Sequence, residues 1–429
     1  MATRASKRRK VKDAQNRDAI PPEHRAFPKN PLDAATSEDK RNWQGFCEIE
    51  NDPAFFNVML REFGVQGVKV NEVFGLDEAL LAMLPKPVYG LIFLFRYVDD
   101  GFENQESTCP ENVWFANQIQ GNACATVALL NIVMNVPDLD IGPNLESFKD
   151  FTKDFTPVNR GEQLVHFEFV KTIHNSFARK IDMMNIDLGM KDEFESSNTR
   201  AAKKSQKKGN DADAAFHFIA FMPIDGDVWK LDGLDRQPQK LGHNRKESVG
   251  DGDWLEAISS NLAARMAQYE EQQVEFGLLS LTKDPIIDAR RELAGNIRII
   301  QAIEERLQSV NHDWRSFNPT PDGTEDDVLN GPTSGLHITA ESIMNSQNPE
   351  LITRKLGSED DAETLFDLRQ KYVTEQASLI AAILDEDASA CADEVKAESC
   401  RHDYGPLIRT WLGMLAENDV LKELVEESG

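Results

Sequence analysis

Four residues in this chain have types and spacings that suit acyl transfer to a thiol. Cys124 stands in "NQIQGNACATVALLNIV", residues 117–133, where a polar mouth opens into an apolar helix. A cysteine in the first turn of a helix meets unpaired backbone N–H groups and the positive end of the helix dipole, and both favour the thiolate. Gln118, upstream on the same stretch, offers a side-chain amide to the oxygen of a tetrahedral intermediate. His217 lies inside the apolar run "AAFHFIAF", and Asp232 follows "WKL". An imidazole that takes the thiol proton needs an acceptor on its second nitrogen to hold it. Asp232 suits that role, with Asp235 as the rival acid. Each residue also has a plainer reading: a small buried hydrophobe, a surface glutamine, a core histidine and a turn-forming aspartate.

The elements that must position these groups are legible in outline. From Ala123 to Val136 apolar residues recur at three and four, which predicts a helix buried nearly all round, with Asn122 as its cap. "AFHFIAFMPIDGDVWKLDG" predicts a hairpin turning at Asp225–Gly226. Positions equidistant from that turn face each other, so His217 falls opposite Leu234 and Asp232 lies one diagonal step away. "GLIFLFRYV", residues 90–98, reads as a buried strand, and "QPQKLG" as a further short one. Residues 43–50 are expected as a strand followed by a helix over 54–63. "NRGEQLVHFEFVKTIHNSFA" reads as one helix carrying His166 and His174, which have no orienting acid nearby and rank as packing or surface groups.

Composition narrows the class. The chain has 429 residues and a net charge of −26, which disfavours general binding to phosphate backbones. Its five cysteines are widely spaced without a CxxC pair, so no zinc or redox dithiol site is expected, and no apolar run reaches membrane-spanning length. No cofactor, nucleic-acid partner or membrane partner is therefore expected. The predicted organisation is a disordered basic leader over 1–40, a catalytic domain over 41–250, a helical extension over 251–317, a disordered insert or linker over 318–361 and a C-terminal helical unit over 362–429. Residues 186–214 lack an apolar period and are expected as a mobile loop. Arg8, Arg9, Lys10 and Lys12 read as a nuclear import cluster, which suggests nucleus and cytoplasm.

"NACATVALLNIV", "FHFIAFMPIDGDVWKLDGL" and "GLIFLFRY" resemble the ubiquitin C-terminal hydrolase family of papain-like cysteine peptidases, and the resemblance covers residues 41–240. It implies an α/β fold with a central, mainly antiparallel sheet flanked by helices, plus an all-helical C-terminal extension. It implies Gln118 as oxyanion donor, Cys124 as nucleophile, His217 as general base and Asp232 as its orienter, with residues 186–214 as the active-site crossover loop. "WLEAISSNLAARMAQYEEQQVEFGLLSLTKD" and "CRHDYGPLIRTWLGMLAENDVLKELVEE" are similar to the proteasome-associated branch. The implied activity is that of a cysteine-type ubiquitinyl hydrolase acting after the terminal glycine of ubiquitin. The implied partners are ubiquitin, its conjugates and a proteasomal ubiquitin-receptor adaptor docking on 362–429. A chromatin-directed hydrolase and an inactive ubiquitin- or proteasome-binding scaffold are the alternatives.

Overall fold

A computed structural model describes residues 33–96, 105–197, 216–243, 254–259, 262–263, 266, 276–317, 328–346, 361–418 and 420. Its centre is a six-stranded sheet of β1 (Val68–Glu72), β2 (Val88–Arg96), β3 (Phe216–Ile224), β4 (Asp227–Leu231), β5 (Gln239–His243) and β6 (Gly277–Lys283). The order is β1-β6-β2-β3-β4-β5, and every neighbouring pair is antiparallel. β2 reads as an unbroken apolar run because both of its faces are covered. Ile92 joins the core on one side, while Leu91, Phe93 and Phe95 join a second cluster with Ile219, Phe221, Trp254, Leu255 and Ile258.

The helices are α1 (Ser37–Asn42), α2 (Pro53–Phe63), α3 (Glu78–Ala82), α4 (Cys124–Val133), α5 (Gly142–Phe151), α6 (Pro157–Val165), α7 (Glu168–His174), α8 (Lys180–Ser197), α9 (Pro285–Val310), α10 (Ala340–Asn345), α11 (Ala362–Arg401) and α12 (Gly405–Glu417). α2 is set by local chemistry: Asp52 caps it, Pro53 opens it, and Gly64 closes it at a φ of 89°. α4 packs its apolar surface against β2 and β3, and nine of its residues from Ala125 to Val133 are buried.

Several expectations are corrected. Residues 43–50 form no strand. Trp43, Phe46, Cys47 and Ile49 are buried as strand residues would be. Their backbone, however, is satisfied by side chains at the end of α7: Asn175 accepts from the Cys47 N–H at 3.2 Å and donates to the Gly45 carbonyl at 2.9 Å. The single helix expected around His166 and His174 is two, because Phe167 leaves the helical region at ψ 86° between α6 and α7. Residues 186–197 belong to α8 rather than to a loop, and residues 198–214 lie outside the described residues. Of the leader, residues 1–32 also lie outside them, and order is already present from Asp33, with α1 held by a Thr36–Asp39 capping box.

Residues 251–317 are not helical throughout, and the sheet takes a strand from beyond 250. β6 sits between β1 and β2, and Trp254 donates its indole N–H to the Val88 carbonyl at 3.2 Å. The stretch 328–346 is ordered, not a linker: Thr333 and Ile338 bridge, and Leu336, Ile338 and Ile343 bury against Leu293, Ile297 and Ile383. α9 and α11 pack along each other, with Ile303 and Leu307 against Leu365, and with buried Arg369 paired to Glu304 at 2.8 Å. α11 then returns to the sheet and α2. Asp393 accepts from Asn57 at 3.0 Å, Glu394 pairs with Arg61 at 2.9 Å, Glu62 pairs with Arg401 at 2.7 Å, and Ala397 enters the main core.

Ile383, fully buried in the cluster shared by α9, α10 and α11, should be worth about 2–5 kcal/mol when cut to alanine, through lost burial and an unfilled cavity. A urea melt of Ile383→Ala should show the lower midpoint. An unchanged midpoint would mean that this cluster does not bind the extension to the rest.

Candidate active site

Cys124 is the first residue of α4. Asn122 does not cap this helix. It takes a left-handed φ of 62° in the preceding turn, a conformation asparagine tolerates, and Ala123 occupies the cap without a side-chain bond. The first-turn N–H groups are therefore not taken up by a capping side chain. Thr126, in the same turn, is anchored from below by His174. The Cys47 carbonyl accepts from His174 Nε2 at 2.8 Å, so Nδ1 accepts from the Thr126 hydroxyl at 2.7 Å. Complete burial lowers the His174 pKa to about 4, against the smaller opposing effect of its bond to Cys47, so this imidazole stays neutral. His174 is thus a packing group, and His166 is the C-cap of α6.

The hairpin has the expected register. Ile224 faces Asp227 and Ala220 faces Leu231, with Gly226 at a φ of 81° in the turn. β4 ends at Leu231, which leaves Asp232 beside the start of β3. His217 Nε2 meets Asp232 Oδ1 at 2.7 Å, and both side chains are about 5% exposed or less. The Leu234 N–H also donates to Oδ1, at 3.0 Å. The Cys124 side chain lies close enough to act on His217, and with Nε2 taken by Asp232 the nitrogen left for a thiol is Nδ1. Burial alone would lower the His217 pKa. The hydrogen bonds and charges of Asp232 and Cys124 outweigh it and raise the value to about 9. Asp232 is pulled the other way: burial raises its pKa, but the bond to His217 and the nearby positive groups leave it below the ordinary value. Asp235, the rival acid, turns to Lys230 at 3.0 Å instead.

Gln118 is carried to the same place by backbone bonds. Its N–H donates to the Gly233 carbonyl at 2.8 Å, and the Asn117 amide donates to the carbonyls of Gly233 and Asp235. A Cβ on Gly233 would fall 3.1 Å from both the Gln118 Cβ and its nitrogen, so a bare glycine keeps this approach open. Gln118 Oε1 is buried without a hydrogen-bond partner among the described residues. Upstream, Asn131 of α4 accepts from the Ala116 N–H at 2.9 Å, and Arg160 donates to the Val113 and Phe115 carbonyls. Gly161 lets α6 lie against Asn117, whose carbonyl would be 2.1 Å from an added Cβ. Sequence reasoning does not mark Asn131 or Arg160. The available signal is an asparagine inside an otherwise apolar helix, which needs a partner once buried.

A cavity of about 290 Å³ adjoins the cysteine, lined by Glu48, Ile49, Glu50, Asn51, Leu94, Asn122, Cys124, Phe216 and Phe218. Among the described residues no cluster of histidine, cysteine and acidic side chains has metal-site geometry, and no helix is long and apolar enough to cross a membrane.

A helix opening on a cysteine, packed on an antiparallel sheet whose hairpin supplies a histidine and an aspartate, is the papain-like cysteine hydrolase architecture. A family model described as ubiquitin carboxyl-terminal hydrolase, family 1, matches residues 46–267, more than half of the chain, and the protein belongs to that family. Ubiquitin carboxyl-terminal hydrolase isozyme L5 of Dictyostelium discoideum is 29% identical over 385 residues, 90% of this chain and 95% of that protein. Ubiquitin carboxyl-terminal hydrolase ubh-4 of Caenorhabditis elegans is 36% identical over 245 residues, 57% of this chain and 67% of the relative. The crystal structure of the Trichinella spiralis UCH37 catalytic domain bound to ubiquitin vinyl methyl ester is 32% identical, covering 56% of this chain and 96% of that one with a TM-score of 0.44.

Proposed function

We propose that this protein is a thiol-dependent deubiquitinase that cleaves after the C-terminal glycine of ubiquitin, with Gln118, Cys124, His217 and Asp232 as its machinery. The observation that carries the reading is the buried His217–Asp232 bond of 2.7 Å, with Cys124 at the head of α4 beside the same imidazole. The Cys124 thiolate attacks the glycine carbonyl. The oxyanion is met by the Gln118 amide and a first-turn N–H of α4. Collapse expels the amine, which takes its proton from His217, and leaves a thioester. Water then attacks the thioester, giving a proton to His217, and collapse frees the terminal carboxyl group of ubiquitin and returns the thiolate beside the imidazolium. Glu48 and Glu50, both exposed beside the cysteine cavity, suit the basic tail of ubiquitin by charge. The direct test is incubation with ubiquitin vinyl methyl ester, which should give a one-to-one adduct at Cys124. An intact protein that stays unlabelled would refute the reading.

The pH dependence follows from His217. The imidazolium is the form that pairs with the thiolate, and it is lost as pH rises through about 9. Turnover of a ubiquitin–dye amide should therefore fall on the alkaline side around that value. The linked contribution to folding has the same sign: it is complete below the ordinary histidine value of 6.5 and lost as pH rises through about 9. An alkaline limb near 6.5 instead would show that Asp232 and Cys124 do not hold the proton.

The C-terminal end is proposed as the adaptor site, in a proteasomal setting. α12 buries none of its residues and exposes Leu407, Ile408, Trp411 and Met414, an apolar face without a partner among the described residues. Leu421 and Leu424, further along the chain, lie outside the described residues. A cut before 362 would strip the surfaces that Leu365, Ile383 and Ala397 cover, so the informative deletion removes 405–429. That truncation should keep turnover of the dye amide and lose capture of proteasomes. Retained capture would move the adaptor site elsewhere.

A further inference from the structure

We propose that Lys230 is a positioning residue of the hydrolase site, holding the second oxygen of Asp232 so that the first stays on the His217 imidazole. This rests on the hydrolase reading above and adds a residue to it. Lys230 lies on β4, two positions before Asp232, and its side chain is 7% exposed. A lysine that deep must be paired to stay charged. Its Nζ is 3.3 Å from Asp232 Oδ2 and 3.0 Å from Asp235 Oδ2. Asp232 is thereby gripped at both ends, with His217 and the Leu234 N–H on Oδ1 and the ammonium on Oδ2. A carboxylate held at one oxygen only is free to rotate about its last bond, and the imidazole it orients would follow.

Charge adds a second effect. Among the described residues, the titratable groups that act on His217 include Cys124 from α4 and Asp232 past the end of β4, with Asp235 further off; β2 contributes the Phe95 ring at 6.0 Å. Behind Asp232 stand Lys230 and Asp235, one cation between two carboxylates. The ammonium offsets part of the negative charge the imidazolium feels. Asp235 in turn offsets part of the ammonium. The two residues therefore act on His217 with opposite signs, which a purely architectural lysine would not do.

The experiment compares Lys230→Met, Lys230→Arg, Asp235→Asn and Cys124→Ala on a ubiquitin–dye amide across pH. Lys230→Met should lower kcat/KM by about ten- to a hundredfold, the range for leaving a buried carboxylate oxygen without its charged partner. It should act mainly on kcat and move the alkaline limb to higher pH. Asp235→Asn should move that limb to lower pH. Lys230→Arg keeps the charge and should restore the limb and most of the rate. The inference is overturned if Lys230→Met leaves rate and limb unchanged, or if both substitutions move the limb the same way. If Lys230→Met does not fold, the inference stands or falls on the downward shift in Asp235→Asn. Activity surviving in Cys124→Ala would overturn the hydrolase reading itself. An inactive Cys124→Ala beside an unmoved Lys230→Met overturns only the role of the lysine.

Discussion

Cys124→Ala is expected to abolish both dye-amide hydrolysis and labelling by ubiquitin vinyl methyl ester, a loss of about 10⁴- to 10⁶-fold in turnover. The size follows from chemistry. Without the sulfur there is no acyl intermediate, and what remains is binding plus oxyanion stabilisation of a direct attack by water. The other four cysteines do not substitute. Burial raises the Cys47 thiol pKa to about 12 and also raises those of Cys109 and Cys400. Cys391 is exposed on α11, and no hydrogen bond or ion pair joins it to His217 among those described. Single changes of these four to alanine should leave labelling at Cys124. An adduct forming on another cysteine in the Cys124→Ala protein would end the assignment.

The next largest effect is expected at the His217–Asp232 pair. His217→Ala removes the proton carrier of both half-reactions and should cost about 10³- to 10⁶-fold in kcat. Asp232→Asn keeps the shape but replaces the acceptor on Nε2 with a group that presents either an N–H or a neutral oxygen. The imidazole then loses both its orientation and the charge that favours its protonated form, and a loss of about 10⁴-fold is expected, by analogy with the same change in serine hydrolases. Ubiquitin affinity, measured by calorimetry, should change little in either variant. Asp235→Asn should cost far less, because that carboxyl meets Lys230 rather than the imidazole. A larger loss for Asp235→Asn than for Asp232→Asn would make Asp235 the orienting acid.

The way the extension is attached bears on regulation. α11 spans from the α9 cluster at Leu365 to the main core at Ala397, and ion pairs from Glu386 to Lys69 and from Arg401 to Glu62 lie along its path. Asp403, in the short joint between α11 and α12, accepts from the N–H groups of Ala35, Lys180 and Gly405. The joint that carries the exposed α12 face thus also touches the first residue of α8.

Local signals were sufficient for some elements and not for others. The Asp225–Gly226 turn fixes the β3–β4 register through its own geometry, so His217 and Asp232 meet because of residues near them in sequence. The α4 helix is legible because its apolar period is sustained. β1 and β6 are not, since "VKVNE" and "GLLSLTK" are short and each is a strand because the other, and β2, offers it a ladder. Residues 43–50 show the converse. They are buried and apolar like a strand, and are left unpaired because Asn175 and His174 satisfy their backbone first.

By itself the sequence determined the place of Cys124 at the mouth of a helix, the hairpin that brings a histidine to an aspartate, and the family those segments belong to. These depend on contacts between residues close in the chain, where spacing alone constrains geometry. The tertiary structure decided which acid faces the imidazole, how Gln118 is brought to Gly233, that the sheet takes an interior strand from beyond residue 276, and that 328–346 packs as part of the extension. Each of those depends on partners distant in sequence, whose choice follows from which groups remain unsatisfied once the core has formed.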